Sequence, residues 1–129
     1  MEVQALDQRH GLMTCVTSAP PTWFPEGGAA LIAKKEGPPW SHGTATQAGE
    51  EAFDAAFTFG IVPTDAAARF ATAEVRRRAF DLARHGVFSS LGCYNAPGNR
   101  GASVSLSGHV LAPAELDAAL AALVAIHRA

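Results

Sequence analysis

Cysteine and histidine are the side chains of this sequence best suited to nucleophilic chemistry. Cys93 lies near the end of one apolar segment and His109 lies in the next, and we consider a Cys-His pair across the hairpin predicted between the two segments. A neighbouring base lowers the pKa of a thiol and favours the reactive thiolate. Cys93 is therefore the candidate reactive thiol. The sequence offers no evident third residue to orient His109, and it contains no Gly-x-Ser-x-Gly elbow.

The spacing of these residues does not indicate a metal site. Cys15 and Cys93 lie far apart and outside any Cys-x-x-Cys motif. We expect no metal and no cofactor, and we interpret both cysteines as apolar core residues, because free cysteine is among the most buried residue types. The sequence leaves open whether a disulfide joins them. The sequence has five histidines, and no two of them are two or four positions apart, the spacings typical of a metal site. They are His10, His42, His85, His109 and His127.

Arginines form the second group of candidates, for contacts with a partner. Arg76, Arg77 and Arg78 are consecutive, and on a helix they fan over about 200° and cannot share a face. Arg69 precedes Arg76, and Arg77 precedes Arg84, by seven positions, a spacing that aligns them as a basic strip. A solvated helix face is the favoured interpretation. The alternative is an anionic partner, either an acidic protein surface or RNA.

Aromatic residues in the two proline-rich connections are the third group. Trp23 and Phe24 lie in the first connection, and Trp40 lies in the second. They either plug the end of a sheet or project toward a partner, since Trp and Tyr are enriched in interface hot spots. Together with Arg76 and Arg77 they are the candidate partner-binding residues.

Hydrophobic periodicity predicts the elements that position these side chains. Alternation at 55–62 predicts a strand with Phe57, Phe59 and Ile61 on its core face. Helices are predicted at 73–86, after a cap at Thr72, and at 113–127, beginning at Pro113. Further strands are predicted at 11–17, 29–35, 87–94 and 102–110, the last two forming a hairpin. The other predicted core residues are Leu82, Val104, Leu120 and Leu123, whereas Ser103, Ser105 and Ser107 are predicted to face water.

These elements predict an α+β fold, an antiparallel-dominated sheet of about five strands with two helices packed on one face. We expect a single domain over residues 1–129, loop-rich at 1–52 and more regular at 53–129. The pattern offers no obvious closure of the sheet, so we also expect self-association or docking through an edge. Lys34 and Lys35 would guard one edge at most.

One resemblance covers about residues 49–129. The segments that carry it are GEEAFDAAF, TDAAARFATAEVRRRAFDL, SVSLSGHV and PAELDAALAALVAI. Their order resembles small bacterial α+β domains of unknown function, in which a strand after a Gly-acidic-x-x-Phe-Asp motif leads to a helix, a hairpin and a closing helix. The resemblance implies this fold and supplies no catalytic residue.

Composition narrows the function classes. A net charge of −2 supplies no general attraction to phosphate backbones, so nucleic acid is disfavoured as a partner. No stretch approaches the roughly 20 apolar residues that span a bilayer, and the N-terminal segment lacks a signal-peptide run. We therefore expect a cytoplasmic chain with no membrane association.

The preferred function is that of a non-catalytic interaction or accessory protein, acting through an exposed sheet surface and aromatic loops, with a protein partner or a second copy of the chain. The alternative is a small-ligand binder or thiol-dependent enzyme with a pocket near Cys93. A basic-helix contact to nucleic acid is a third, weaker interpretation. The sequence offers no ligand spacing and no complete catalytic set, which favours the non-catalytic function.

Overall fold

The computed structural model describes residues 2–8, 11–35, 40, 45–108 and 112–129, which hold six strands and four α-helices. The strands are β1 Glu2–Gln8, β2 Gly11–Ser18, β3 Ala29–Lys34, β4 Phe57–Val62, β5 Phe88–Ala96 and β6 Asn99–Ser107. The helices are α1 Glu51–Ala56, α2 Ala67–Phe70, α3 Ala73–Ala83 and α4 Pro113–Arg128, with a 3-10 turn at Thr64–Ala66.

The strands form one antiparallel sheet in the order β1-β2-β6-β5-β3-β4. The predicted α+β class and antiparallel sheet are confirmed. The sheet has six strands rather than about five, because β1 pairs with β2 from Glu2 opposite Thr17 to Gln8 opposite Gly11. The sequence of β1, EVQALDQ, is too polar to show the strong alternation by which the other strands were predicted.

The first 52 residues contribute three strands, so this part of the chain is more regular than its loop-rich sequence predicts. β3 lies between β5 and β4 and pairs with both. Lys34 is therefore on an interior strand, where its Nζ donates to the carbonyl of Gly86 at 3.1 Å. The prediction that Lys34 guards an edge was wrong, since the two edges are β1 and β4.

The core lies on one face of the sheet. Five buried residues, which are successive partners across five neighbouring strands, mark this face: Val16, Val104, Leu91, Ile32 and Phe59. Helices α3 and α4 contact each other, α4 contacts β2 and β6, and α3 contacts β5. The two helices add to the same buried cluster Val75, Ala79, Leu82, Ala119, Ala122, Leu123 and Ile126.

Most of the predicted core is confirmed, with one exception on α4. Phe57, Phe59, Ile61, Leu82, Val104 and Leu123 are all buried. The prediction for Leu120 was wrong, since this side chain is 42% exposed. The buried side of α4 carries Ala119, Ala122, Leu123, Ala125 and Ile126, and Leu120 lies outside this side of the helix.

Local signals account for the ends of the helices. Thr72 caps α3 as predicted, because its hydroxyl accepts a hydrogen bond from the backbone N–H of Val75 at 3.2 Å. Helix α1 was not predicted, and it occupies the first two positions of the strand predicted at 55–62. The Asp54 carboxylate within it accepts hydrogen bonds from the backbone N–H groups of Ala48 and Gly49, at 2.7 and 3.1 Å. These bonds hold the segment before this short helix in place.

Candidate functional site

Cys93 lies in the core, not in an accessible site. Its partners in the sheet are Ala30 and Ala102, and its side chain is fully buried. Burial raises the pKa of the Cys93 thiol to about 12, because the thiolate would lose its hydration. His109, the base expected beside it, lies outside the described residues. A protonated, inaccessible thiol agrees with the core interpretation and argues against a catalytic role.

We expect Cys93 to resist thiol reagents near neutral pH in the folded protein. A Cys15→Ser variant isolates the Cys93 signal, and labelling should become fast only when denaturant is added. Because the pKa in the folded state lies above that of the unfolded chain, the contribution of Cys93 to stability is complete below about pH 9. It is lost as the pH rises toward 12, by up to about 1.4 kcal/mol per pH unit. Equal labelling rates in the folded and unfolded protein would contradict the burial.

The two cysteines lie on opposite faces of the sheet and are both free thiols. Cys15 is partly exposed, and its Sγ lies 3.8 Å from the Oγ of Ser105. The disulfide that the sequence left open is therefore not formed.

Trp23 and Phe24 belong to an aromatic cluster that closes one end of the core. The Trp23 indole donates to the carbonyl of Ile126 at 2.9 Å, and its ring meets that of Phe24 edge-on, with centroids 5.6 Å apart. Phe24 packs against the buried ring of Phe70. The Arg69 guanidinium lies 4.8 Å above the Trp23 ring. Of the two alternatives, these contacts favour the plug.

The arginines of α3 are engaged within the chain. Arg76 is only 21% exposed; its Nε lies 2.8 Å from a carboxylate oxygen of Glu50, and it also donates to the carbonyl of Ala71. Arg77 is exposed and lies 3.8 Å from Glu74, an acid one turn earlier. Arg84, another member of the predicted strip, lies 3.4 Å from Asp81, so three of the four arginines have acidic neighbours, which favours the solvated helix face.

Ser18 and His127 form a hydroxyl–imidazole pair that no local sequence signal could reveal. The Ser18 Oγ lies 3.0 Å from the Nε2 of His127, across 109 positions of the chain. The same hydroxyl donates its single proton to the carbonyl of Ala19 at 2.9 Å. When the hydroxyl proton is used in that bond, the imidazole donates to the hydroxyl, which is the opposite of a general base activating a nucleophile. The pair fastens α4 to the end of β2.

The sheet face opposite the core carries no charged side chain on strands β2 to β6, and we call it the polar face. Its β3 residues Leu31 and Ala33 are apolar and buried. Cys15 and Thr17 of β2 and Ser103 and Ser105 of β6 are partly exposed there. The two serines confirm the predicted alternation of β6. No position that alternates onto this face in β2, β3, β4, β5 or β6 holds a charged residue.

Two aromatic rings lie on the polar face, each over a glycine. The Trp40 ring occupies the space above Gly60 that a Cβ would fill, and the Tyr94 ring lies 3.2 Å from the corresponding position of Gly92. Leu31 lies between the two glycines, because it pairs with Gly60 on one side and with Gly92 on the other. The polar face therefore runs from an aromatic end to a hydroxyl-rich end.

The Tyr94 hydroxyl is neutral at physiological pH. Burial raises its pKa above the ordinary value, and the negative charge of an ionised Cys93 would raise it further. A neutral phenol both donates and accepts hydrogen bonds, as the neighbouring serine hydroxyls do.

Two cavities open beside α1, away from Cys93. One has a volume of about 160 Å³ and is bordered by Lys35, Thr46 and Thr58; the other, of about 450 Å³, is more open and is bordered by Gln47 and Glu51. Asp54 borders both, but its two oxygens are already occupied by backbone N–H groups. Neither cavity is the pocket near Cys93 that a thiol-dependent enzyme would require.

No protein-family model, curated protein or solved structure matches this chain. The resemblance to small bacterial domains thus stays a prediction. Within the part of the chain that the structure describes, no three His, Cys, Asp or Glu side chains are grouped to hold a metal ion. In that same part, no helix has both the length and the apolar character needed to cross a bilayer.

Proposed function

We propose that this chain is a non-catalytic interaction protein that binds a protein partner through the polar face. In this proposal α3 and α4 pack together on the face of the sheet that carries the core. The polar face of β2 and β6 is then left for the partner. The observation that carries the proposal is the composition of the polar face on β2 and β6, which is uncharged and partly exposed there, with the Tyr94 and Trp40 rings farther along the same face.

The composition of the polar face is that of an interface rather than of an ordinary wet surface. The solvated face of an antiparallel sheet is commonly polar, with charged residues included. The centres of protein interfaces are depleted of charged residues and enriched in aromatic ones. The hydroxyls of Thr17, Ser103 and Ser105 can each donate and accept hydrogen bonds, so they can pair with backbone or side-chain groups of a partner.

Of the candidate partner-binding residues, some stabilise the fold and one lies on the proposed binding surface. Trp23, Phe24 and Arg76 hold the fold together through the contacts described above, and Arg77 has an acidic neighbour on its own helix. Trp40 is the candidate that lies on the polar face, and we assign it to the proposed contact surface. No observation favours the alternative of a thiol-dependent enzyme.

The proposal predicts that a bulky charge on the polar face abolishes binding. We expect a Ser103→Arg variant used as bait in an extract of the native cells to lose the proteins that the wild-type chain retains. Arginine at this position would place a charge in the centre of the proposed interface. An Ala114→Arg variant, which adds the same charge at an exposed position of α4, is the control and should retain them.

Both variants should give the wild-type circular dichroism spectrum before binding is compared. Equal retention by Ser103→Arg and wild type would overturn the proposal for this face. Equal loss by the two variants would show that binding depends on net charge and not on the polar face.

A further inference from the structure

Among the described residues, β1 directs a row of backbone groups outward at one edge of the sheet. Ser107 donates its N–H to the carbonyl of Val87, on the β5 side, and so directs its backbone groups away from its β2 partner, Met13. In each antiparallel residue pair, the two residues either both direct their N–H and C=O groups toward each other or both direct them away from each other. Met13 therefore bonds to its β1 partner, Leu6. By alternation, Val3, Ala5 and Asp7 direct their N–H and C=O groups outward.

The opposite edge of the sheet is partly closed. Thr46 forms a bridge with Phe59 in the middle of β4, and its N–H donates to the Phe59 carbonyl at 2.6 Å. No described strand pairs with the outer side of β1. Among the described residues, β1 is therefore the edge that offers a full row of strand-pairing groups.

We propose that two copies of this chain associate by antiparallel pairing of β1 with β1, about a two-fold axis at Ala5. Ala5 of one copy then exchanges both backbone hydrogen bonds with Ala5 of the other, and Val3 does the same with Asp7 of the second copy. The two sheets become one continuous sheet. This inference uses the edge of the sheet and does not depend on the proposed function of its polar face.

The sequence of β1 is self-complementary in this register. The positions that face each other are Glu2 with Gln8, Val3 with Asp7, Gln4 with Leu6, and Ala5 with itself. No like charges are opposed, and like charges directly opposite would destabilise the pair. Edge strands that avoid pairing commonly carry lysine, proline or a bulge. β1 contains neither of these residues and pairs with β2 without a register shift.

A second copy is the occupant that this geometry favours because the two edges differ. Head-to-tail stacking into a filament needs two edges that can each accept a strand, whereas one open edge and one partly closed edge stop the assembly at a pair. Antiparallel pairing of β1 with β1 needs only one open edge in each copy, since both partners use the same strand.

Sedimentation of the full chain over a range of concentrations tests the proposal. We expect the wild-type chain to dimerise and Ala5→Pro to weaken the dimer by roughly ten-fold or more, because two hydrogen bonds across the axis are lost. Proline at this position removes only an outward N–H, so the bonds to β2 stay and the circular dichroism spectrum should not change. A wild-type chain that stays monomeric at high concentration overturns the proposal.

Charge substitutions test the register without proline. At position 5 each copy faces itself, so Ala5→Lys alone and Ala5→Glu alone should each weaken the dimer by roughly two- to five-fold, and a mixture of the two should restore it. Gln8→Lys, which adds the same charge opposite Glu2 of the second copy, is the control and should retain the dimer. A dimer that is unaffected by Ala5→Lys, or a mixture that shows no recovery, overturns the proposed pairing.

Discussion

Replacing Phe59 by alanine is expected to lower the free energy of unfolding by about 3–5 kcal/mol. The Phe59 side chain is 1% exposed, and its ring stacks on that of Phe70 with centroids 6.1 Å apart and meets Phe53 edge-on at 6.4 Å. These neighbours belong to different helices, so truncation of the ring removes contacts between the sheet and both of them. Chemical denaturation of the variant, compared with the wild-type chain, measures the effect.

Val62 supplies a matched control on the same strand. Its side chain is 38% exposed and lies on the opposite face from Phe59. A Val62→Ala variant should change the free energy of unfolding by about 0.5 kcal/mol or less, as is usual for surface positions. Equal effects of the two substitutions would show that Phe59 is not in the core and would overturn the register of β4.

Replacing Gly60 by alanine is expected to destabilise the protein by about 1–3 kcal/mol, the usual cost of overpacking. A Cβ at this position would overlap the Trp40 ring, so either the ring or the strand must move. A change in tryptophan fluorescence should accompany the loss of stability if the Trp40 ring is displaced. Trp23, the other tryptophan, packs at the end of the core and serves as the constant background.

A double-mutant cycle separates this overlap from other effects of alanine. In a Trp40→Ala background the ring is absent, so Gly60→Ala should cost much less than it does in the wild-type chain. An equal cost in both backgrounds would place the Trp40 ring elsewhere and would remove it from the polar face. The cycle therefore tests both the fold and one residue of the proposed binding surface.

The parts of the fold that follow a strong local pattern could be predicted from sequence. The alternation around Phe59, the Thr72 cap and the serine face of β6 each depend on neighbouring residues, and each is confirmed. β1 was missed because its pattern is weak and because a strand at an edge is specified largely by its partner. Leu120 was misplaced because the spacing of large residues does not show which side of an alanine-rich helix packs.

The candidate site was less accessible to sequence reasoning because its parts meet only in the sheet. Gly60 and Gly92 become neighbours on either side of Leu31 through the insertion of β3 between β4 and β5, an order that local patterns do not encode. The buried state of Cys93 likewise depends on strands and helices far along the chain. Residue type alone predicted a buried Cys93, as observed, but it could not specify the neighbours of this residue and gave no sign of the uncharged face.

The pairing of β2 with β6 has a consequence for how the chain folds. Residues 13–18 pair with residues 102–107, so one of the earliest strands to be synthesised needs one of the last. During translation β2 can pair with β1, but its other side lacks its native neighbour until most of the chain has emerged. Contacts between such distant segments slow folding, since a long loop must close before they form. We therefore expect the β1–β2 hairpin to join the sheet late, after β3, β4 and β5 have paired.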